Sequence, residues 1–414
     1  MGRKTIKLVL TGHLDHGKST LIGRLLLDTH SLSRQQLLEI QRISKEFGKT
    51  TELAYLIDQL KEEREKSLTI DTTQAFFKTR KKNYIIIDAP GHTEFIKKML
   101  TGASQANAAI LIIDVCDGIQ EQTKRHAFLI AMLGIKSVIV AFNKMDLVDY
   151  RKERYEEVKT ALLECIKPLP MKPSFFVPIA AKQGVNISRK SSYLSWYKGS
   201  PLLKILDSLH IRSQHTDNVL RFPVQDIYEL EGKNIIVGKV VSGTASQGQP
   251  IQILPTLHRG YIQSILMFNK PHTYVAGVGE NIGLLLRKPL PIKRGDVITQ
   301  RTLYRGGVQR FGGTLFWMAE EPLTINKTVT VQCTTQEESV VVEHIAQRTN
   351  SSTLEIIEKN ADKLQRNEAA QVTFRTKRPM VIEKFNDIEE LGRFVVREKC
   401  NLQGAGIVTW VNDI

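Results

Sequence analysis

Cysteine is scarce in this sequence, with four residues in a chain of 414: Cys116, Cys165, Cys333 and Cys400. They lie far apart and form no C-x-x-C pair, so the sequence predicts neither a zinc site nor a disulfide framework. Because unpaired thiols are typical of reducing compartments, we expect a cytoplasmic protein.

Long apolar runs and dense runs of one charge are also absent. No stretch reaches the ~18 apolar residues that span a membrane. The first five residues lead directly into a predicted strand, so we expect no signal peptide. The net charge of +15 favours an anionic partner such as RNA. The densest basic cluster, residues 78–82, instead falls where a solvated hairpin turn is expected.

The first chemical motif is G-x-x-x-x-G-K-S, which begins at Gly12. An apolar run from Ile6 to Leu10 predicts a strand before it, and an amphipathic pattern from Lys18 to about Leu27 predicts a helix after it. This context favours a phosphate-binding loop over a chance glycine loop. The residues expected at the nucleotide are Gly12, His13, Asp15, His16, Gly17, Lys18, Ser19 and Thr20.

Backbone N–H groups of such a loop, and the amino terminus of the helix that follows, attract an anion. Lys18 is expected to reach the β- and γ-phosphates, and the Ser19 hydroxyl to bind Mg²⁺.

A second motif, D-x-P-G-H, ends the apolar stretch from Tyr84 to Asp88. An Asp at this point is expected to bind Mg²⁺, and Gly91 can bring its backbone N–H close to a γ-phosphate. His92 would then orient an attacking water. The alternative is a strand that ends in a turn with a capping Asp.

A third motif, N-K-x-D, follows the apolar run from Ser137 to Phe142. The Asp146 carboxylate can accept hydrogen bonds from guanine N1–H and its exocyclic amine, a pair that adenine lacks. Asn143 and Lys144 would brace the loop and cover the ring. After the next predicted strand, the backbone N–H groups of Ala180, Ala181 and Lys182 are expected at the guanine carbonyl.

Apolar strands alternate with helices over about the first 200 residues, which predicts an α/β domain with a mainly parallel sheet and helices on both faces. All three motifs fall at carboxyl ends of strands, where ligands bind in such sheets. Between the first two motifs, amphipathic helices are predicted at residues 34–47 and 53–66.

From Leu220 the pattern changes to short alternating runs separated by Gly and Pro, which predicts two small β-barrels. Residues 243–248 are predicted to form a turn. The domains expected are 1–212 for GTP binding, 219–302 for the first barrel and 311–414 for the second.

Together these motifs resemble the translation-factor GTPases typified by elongation factor Tu and elongation factor 1-alpha. The resemblance covers essentially the whole chain. It implies that Thr69 binds Mg²⁺ beside Ser19 when GTP is present. It also implies that Asp88 holds the ion through water and that Lys18, Thr69 and His92 serve hydrolysis. Ser67 stands where this family usually has Gly, and Ala180 where it usually has Ser.

Several stretches are most similar to the GTPase subunit of bacterial sulfate adenylyltransferase: residues 21–29, 33–37, 135–150, 220–225, 315–323, 352–355 and 404–407. By contrast, His13, His16 and residues 378–394 resemble the translation factors.

We therefore expect a GTPase with GTP/GDP and Mg²⁺ as ligands. The leading expectation is a heterodimer with the catalytic sulfate adenylyltransferase subunit, in which GTP hydrolysis drives adenylylsulfate synthesis. The alternative is a translation factor whose partners are aminoacyl-tRNA and the ribosome. A third possibility is a GTP-binding regulator without a catalytic partner.

Overall fold

The computed structural model describes residues 5–13, 15–32, 34, 38, 74–88, 106–169, 171–209, 219–230, 232–268, 270–300, 306–351, 353–399 and 401–412. Thr69, Gly91, His92 and the side chain of Asp88 lie outside the described residues. So do the helix predicted at 53–66 and all of the one at 34–47 except residues 34 and 38.

The chain divides into two compact units, Met1–Ile211 with Ser351–Leu354, and Arg212–Asn350 with Glu355–Ile414. The elements of the first unit are β1 (Thr5–Thr11), α1 (Lys18–Asp28), β2 (Gln74–Lys78), β3 (Asn83–Asp88), β4 (Ala108–Asp114), α2 (Glu121–Met132), β5 (Ser137–Asn143), a 3₁₀ turn (Met145–Val148), α3 (Lys152–Ile166), β6 (Phe175–Pro178), a second 3₁₀ turn (Ser192–Leu194) and α4 (Leu202–Ser208).

The first unit is built on a six-stranded sheet in the order β2-β3-β1-β4-β5-β6. Every neighbouring pair from β3 to β6 is parallel, and β2 pairs antiparallel with β3 at the edge. Strand β4 is buried along its whole length, as expected for a parallel strand covered on both faces. The predicted α/β class is confirmed.

Helices cover both faces of this sheet. Leu25 of α1 and Leu206 of α4 belong to the same buried cluster as Ala141 of β5. The next residue of β5, Phe142, points to the opposite face because side chains alternate along a strand. There its ring meets Tyr155 of α3 edge-on, with centroids 5.1 Å apart.

The second unit contains two closed, six-stranded antiparallel barrels, as predicted. The strands of the first barrel and its extensions are β7 (Arg221–Leu230), β8 (Lys233–Lys239), β9 (Ala245–Ser246), β10 (Pro250–Leu254), β11 (Arg259–Met267), β12 (Lys270–Thr273), β13 (Val275–Ala276), β14 (Asn281–Leu286) and β15 (Val297–Gln300). The ring runs β10-β15-β7-β8-β14-β11 and closes by pairing β11 with β10, while β12 extends β11.

The second barrel repeats this design with longer strands. They are β16 (Val308–Trp317), β17 (Leu323–Thr324), β18 (Thr328–Cys333), β19 (Gln336–Asn350), β20 (Ile356–Lys359), β21 (Lys363–Leu364), β22 (Glu368–Met380), β23 (Arg393–Glu398) and β24 (Asn401–Val411). The ring runs β18-β23-β24-β16-β22-β19 and closes by pairing β19 with β18.

An apolar cluster and a buried ion pair join the two barrels. Val241, Leu254 and Val297 of the first barrel pack with Val381 and Leu391 of the second. Beside them, the Arg221 guanidinium donates two hydrogen bonds to one Glu383 carboxylate oxygen, at 2.9 and 3.1 Å.

The structure contains short strands that the sequence pattern does not predict. Residues 243–248 are not only a turn, because β9 lies inside them and pairs with β13. A two-residue strand has no alternation of its own and forms only because a neighbouring strand is in place. No helix among the described residues has both the length and the apolar character needed to cross a membrane.

Candidate nucleotide-binding site

The predicted motifs meet at one edge of the six-stranded sheet. Leu10 is in register with Asp88, and Asp114 is in register with Asn143. The carboxyl ends of β3, β1, β4 and β5 are thus adjacent at one edge of the sheet. This is the edge where open α/β sheets bind ligands.

The loop between β1 and α1 is shaped by two glycines. Gly17 has a φ of +92°, a left-handed conformation that glycine adopts without strain, and it directly precedes the first turn of α1. A Cβ at Gly12 would lie 2.5 Å from both the carbonyl oxygen and the Cγ2 of Ile112. The loop therefore passes against β4 without space for a side chain at that position.

Lys18 is held within this loop. Its Nζ donates hydrogen bonds to the carbonyl oxygens of Gly12 and His13, each at 2.8 Å. The ammonium therefore lies across the loop mouth, in front of the amino terminus of α1. Ser19 and Thr20 occupy the first turn of that helix and are half-buried. A positive charge, a helix amino terminus and a hydroxyl fit the triphosphate and the divalent ion that the sequence predicts.

Polar contacts from helix α2 support the loop. His13 Nδ1 lies 2.7 Å from Gln122 Oε1, and Thr11 Oγ1 lies 2.6 Å from His126 Nδ1. No motif in the sequence indicates Gln122 or His126, since their contacts span more than 100 positions of the chain.

His16 is fully buried, and burial lowers its pKa even though the Ile112 carbonyl oxygen and Asp114 act in the opposite direction. The ring is therefore neutral at neutral pH. Its Nδ1 lies 3.3 Å from the Ile112 carbonyl oxygen. Within the described part of the chain, its Nε2 has no hydrogen-bond partner.

Asn143, the first residue of the N-K-M-D motif, joins the loop between β1 and α1 to the Ala181 loop. Its Nδ2 donates to the His16 carbonyl oxygen at 2.9 Å, and its Oδ1 accepts from the Ala181 backbone N–H at 2.9 Å. One buried amide thus fixes three loops that come from distant parts of the sequence.

The backbone groups of the Ala180 loop differ from the prediction. The Ala181 N–H bonds Asn143, and the Ala180 N–H donates to the Val185 carbonyl oxygen at 3.2 Å. Two of the three predicted amides are therefore engaged inside the protein, because this loop closes on itself and on Asn143. Lys182 remains the candidate among the three for a guanine carbonyl.

Arg24 of α1 also holds this loop, a contact that sequence reasoning misses. Its guanidinium donates to the carbonyl oxygens of Ala181 at 3.1 Å and Lys182 at 2.5 Å. The sequence shows only that an arginine lies within the predicted helix α1. That position does not by itself indicate a contact with Ala181 or Lys182.

Asp146 and Lys144 both belong to the N-K-M-D motif, and each contacts a different residue outside it. The Asp146 carboxylate accepts a hydrogen bond of 2.7 Å from Gln183 Nε2. Lys144 Nζ lies 2.6 Å from the carboxylate of Asp114. A carboxylate has two acceptor oxygens with about four lone-pair positions, so Asp146 keeps the capacity to accept the paired N–H groups of guanine.

Among the described residues, no group of three or more His, Cys, Asp and Glu side chains is arranged to hold a metal ion. Asp15, the remaining predicted residue of the phosphate loop, is exposed, with a φ of +61°. The described site therefore offers the Ser19 hydroxyl as its contribution to an ion.

Known proteins match this chain over nearly its whole length. The model of the elongation factor Tu GTP binding domain matches residues 3–223, and that of the GTP-eEF1A C-terminal domain matches residues 310–409. Elongation factor 1-alpha of Pyrococcus furiosus is 37% identical over 97% of this chain and 97% of its own length. That of Methanothermobacter thermautotrophicus is 37% identical over 98% of this chain and 97% of its own.

A solved structure of sup35 complexed with GDP is 22% identical, with a TM-score of 0.47, over 100% of this chain and 95% of that chain. The family match, the phosphate loop and the two barrels agree. The chain belongs to the superfamily of GTPases that includes elongation factor Tu and elongation factor 1-alpha.

Proposed function

We propose that this GTPase is a Mg²⁺-dependent switch that binds aminoacyl-tRNA when GTP is bound and releases it after hydrolysis. The observation that carries the proposal is the similarity, over nearly the full length of both chains, to proteins named elongation factor 1-alpha. In this proposal residues 1–212 bind GTP, and the barrels at 219–302 and 311–414 present the partner surface.

The hydrolytic roles follow the predicted site. Lys18 and the loop amides neutralise charge on the phosphates, Thr69 closes over them, and His92 orients the attacking water. Ser19, Thr69 and Asp88 would hold Mg²⁺, which supplies charge neutralisation at the β- and γ-phosphates. Asp146 selects guanine, with Asn143, Lys144 and Lys182 shaping its pocket.

Loss of the γ-phosphate would release Thr69 and the Gly91 amide. Segments that close on a γ-phosphate are a common switch, because contacts to one group hold them in place. We place the protein in the cytoplasm, where charged tRNA and ribosomes occur.

A strip on the first barrel supports a nucleic-acid partner. Tyr228 of β7 is directly opposite Ile235 of β8, so both side chains project from the same face. A Cβ at Gly283 would meet the side chains of Ile235, at 2.8 Å, and Leu266, at 3.5 Å. The Ile235 and Leu266 side chains therefore pack over the glycine, next to the exposed Tyr228 ring; Tyr228 and Leu266 are 57% and 40% exposed.

Such a surface suits an unpaired nucleotide. A base can stack on an exposed aromatic ring such as that of Tyr228, and the exposed apolar side chain of Leu266 offers further contact area. The net charge of +15 supports the approach of a polyanion.

The decisive experiment is protection of charged tRNA from spontaneous deacylation. With GTP, the protein is expected to slow deacylation, and with GDP it is expected not to. Tyr228→Ala should reduce protection about tenfold or more, since base stacking contributes ~1–3 kcal/mol. Tyr261→Ala is the matched control. Tyr261 is also an exposed tyrosine, but it lies near the start of β11, whereas Leu266 lies near the end of that strand. Equal deacylation rates with GTP and GDP would contradict the proposal.

A second candidate partner is the catalytic subunit of sulfate adenylyltransferase. The sequence stretches at 21–29, 135–150 and 315–323, which resemble its GTPase subunit, favour it. Its test is co-purification of a complex that carries out sulfate-dependent exchange of pyrophosphate into ATP. Stimulation of that exchange by GTP would support this partner over aminoacyl-tRNA.

A further inference from the structure

Asp114 is a buried acid that none of the predicted motifs includes. It is the last residue of β4 and is in register with Asn143, the last residue of β5. The Val115 backbone N–H donates to the Asn143 carbonyl oxygen at 3.1 Å, which extends the pairing by one step. Asp114 therefore lies beside the first residue of the N-K-M-D loop.

Both oxygens of the Asp114 carboxylate are used. One accepts a hydrogen bond from the Cys116 backbone N–H at 2.8 Å, and the other lies 2.6 Å from Lys144 Nζ. The Asp114 side chain is 3% exposed and that of Lys144 is 31% exposed. A carboxylate buried this deeply requires a cationic partner, and Lys144 supplies it.

The charge on Lys144 is stabilised by this contact. Burial works against the ammonium, but the hydrogen bond and charge of Asp114, with a smaller contribution from Asp117, raise the pKa of Lys144 overall. Lys144 therefore carries its charge across the neutral pH range.

The backbone of Lys144 also needs support. Its φ is +63°, a left-handed conformation that a residue with a side chain adopts only where its surroundings hold it. The residue precedes the 3₁₀ turn that carries Asp146. A lysine side chain has many rotamers, and fixing its ammonium leaves the four-carbon stem in a restricted set.

We infer that Asp114 is a positioning residue for the nucleotide base, which acts by anchoring Lys144 so that the lysine stem is preorganised to cover the ring. The inference rests on the proposed base-binding role of the N-K-M-D loop. Preorganisation removes part of the entropy cost of binding, so its loss appears mainly as faster dissociation.

The test is a double-mutant cycle on dissociation of a fluorescent N-methylanthraniloyl derivative of GDP. The proteins are the wild type, Asp114→Asn, Lys144→Ala and the double variant. Asp114→Asn keeps an oxygen for the Cys116 N–H and removes the charge. It should speed dissociation about tenfold, and by the same factor for the GTP derivative, because the base is common to both nucleotides.

The double variant should dissociate no faster than Lys144→Ala alone. If Asp114→Asn speeds dissociation by the same factor in the wild type and in the Lys144→Ala background, Asp114 acts on the fold and not through the lysine. That result would overturn the inference. If Lys144→Ala leaves dissociation unchanged, the proposed base-binding role itself fails. The two failures are thereby distinguished.

Two further variants keep the test decisive. Lys144→Met retains an unbranched stem without the ammonium and should speed dissociation as Asp114→Asn does. A Lys144→Met protein that dissociates at the wild-type rate would overturn the inference, even if Asp114→Asn does not fold. Glu156→Gln removes the charge from a partly exposed ion pair with Lys159 on α3; it is the matched control and should leave dissociation unchanged.

Discussion

At the scale of single residues, the site depends on a few polar side chains with defined partners. Asn143 fixes the loops at His16 and Ala181, and Arg24 fixes the carbonyl oxygens of the Ala181 loop. Replacing Asn143 would remove both hydrogen bonds at once. The two buried backbone groups that it bonds would then have no water to replace it. The base specificity that we propose for Asp146 would therefore depend on Asn143 and Arg24, which hold the neighbouring loops in place.

Replacing Asp146 tests this base selectivity. Asp146→Asn substitutes a donor for one acceptor oxygen, which matches the C2 carbonyl of xanthine and opposes the C2 amine of guanine. We expect GTP affinity to fall by about 100-fold or more and xanthosine triphosphate to become the preferred ligand. Competition binding with both nucleotides measures the change.

Asp149→Asn is the control for that experiment, because Asp149 is an exposed acid in the same loop. It should leave the preference for guanine intact. An Asp146→Asn protein that still prefers GTP would contradict the assignment of the base pocket.

At the scale of elements, the shape of the phosphate loop depends on the pairing of β1 with β4, because the chain runs against β4 as it leaves β1. The sequence predicts the strand, the loop and helix α1, since an apolar run, two glycines and an amphipathic pattern are local signals. The packing of Gly12 against Ile112 is not local, because it follows from the pairing of β1 with β4.

The same difference between local signals and long-range contacts applies elsewhere in the chain. Strands β4 and β5 are continuous apolar runs and are found directly. The contacts of Asp114 with Lys144 and of Gln122 with His13 depend on which strands are neighbours, and no pattern within either segment states this. Strand β9, with two residues, has too little sequence to show alternation.

Substitution of Gly12 tests the close approach. Gly12→Ala places a methyl group 2.5 Å from the Ile112 carbonyl oxygen, so the loop must move away from β4. We expect loss of GDP binding and a stability cost of ~1–3 kcal/mol from overpacking. Calorimetric binding and thermal unfolding measure the two effects.

Gly277→Ala is the matched control, because a Cβ at Gly277 meets nothing within 4 Å. It should bind GDP normally. Normal binding by Gly12→Ala would show that the loop has room that the structure does not provide.

At the scale of the whole molecule, the two barrels share one buried interface. Arg221, with an 8% exposed side chain, bonds Glu383 and also donates to Thr299 Oγ1 at 2.7 Å. Removing the charge of one partner leaves the other largely buried without its charged partner. The barrels are therefore expected to unfold together.

Glu383→Gln tests that coupling. It should destabilise the barrel pair by ~1–3 kcal/mol, seen as a lower midpoint of thermal unfolding, without changing GDP affinity. Glu343→Gln is the control, since Glu343 pairs with Arg310 and Arg375, which are 53% and 64% exposed, and such pairs contribute ~1 kcal/mol or less. Equal midpoints for the two variants would contradict a buried role for Glu383.

We propose above all that the amino-terminal unit binds a guanine nucleotide with Mg²⁺ at the carboxyl edge of its sheet. Titration calorimetry on protein stripped of nucleotide and supplied with Mg²⁺ tests it most directly. We predict saturable binding of one equivalent of either GDP or GTP, and no competition by ATP at equal concentration. Absence of heat with both guanine nucleotides, from protein that unfolds cooperatively, would contradict the account.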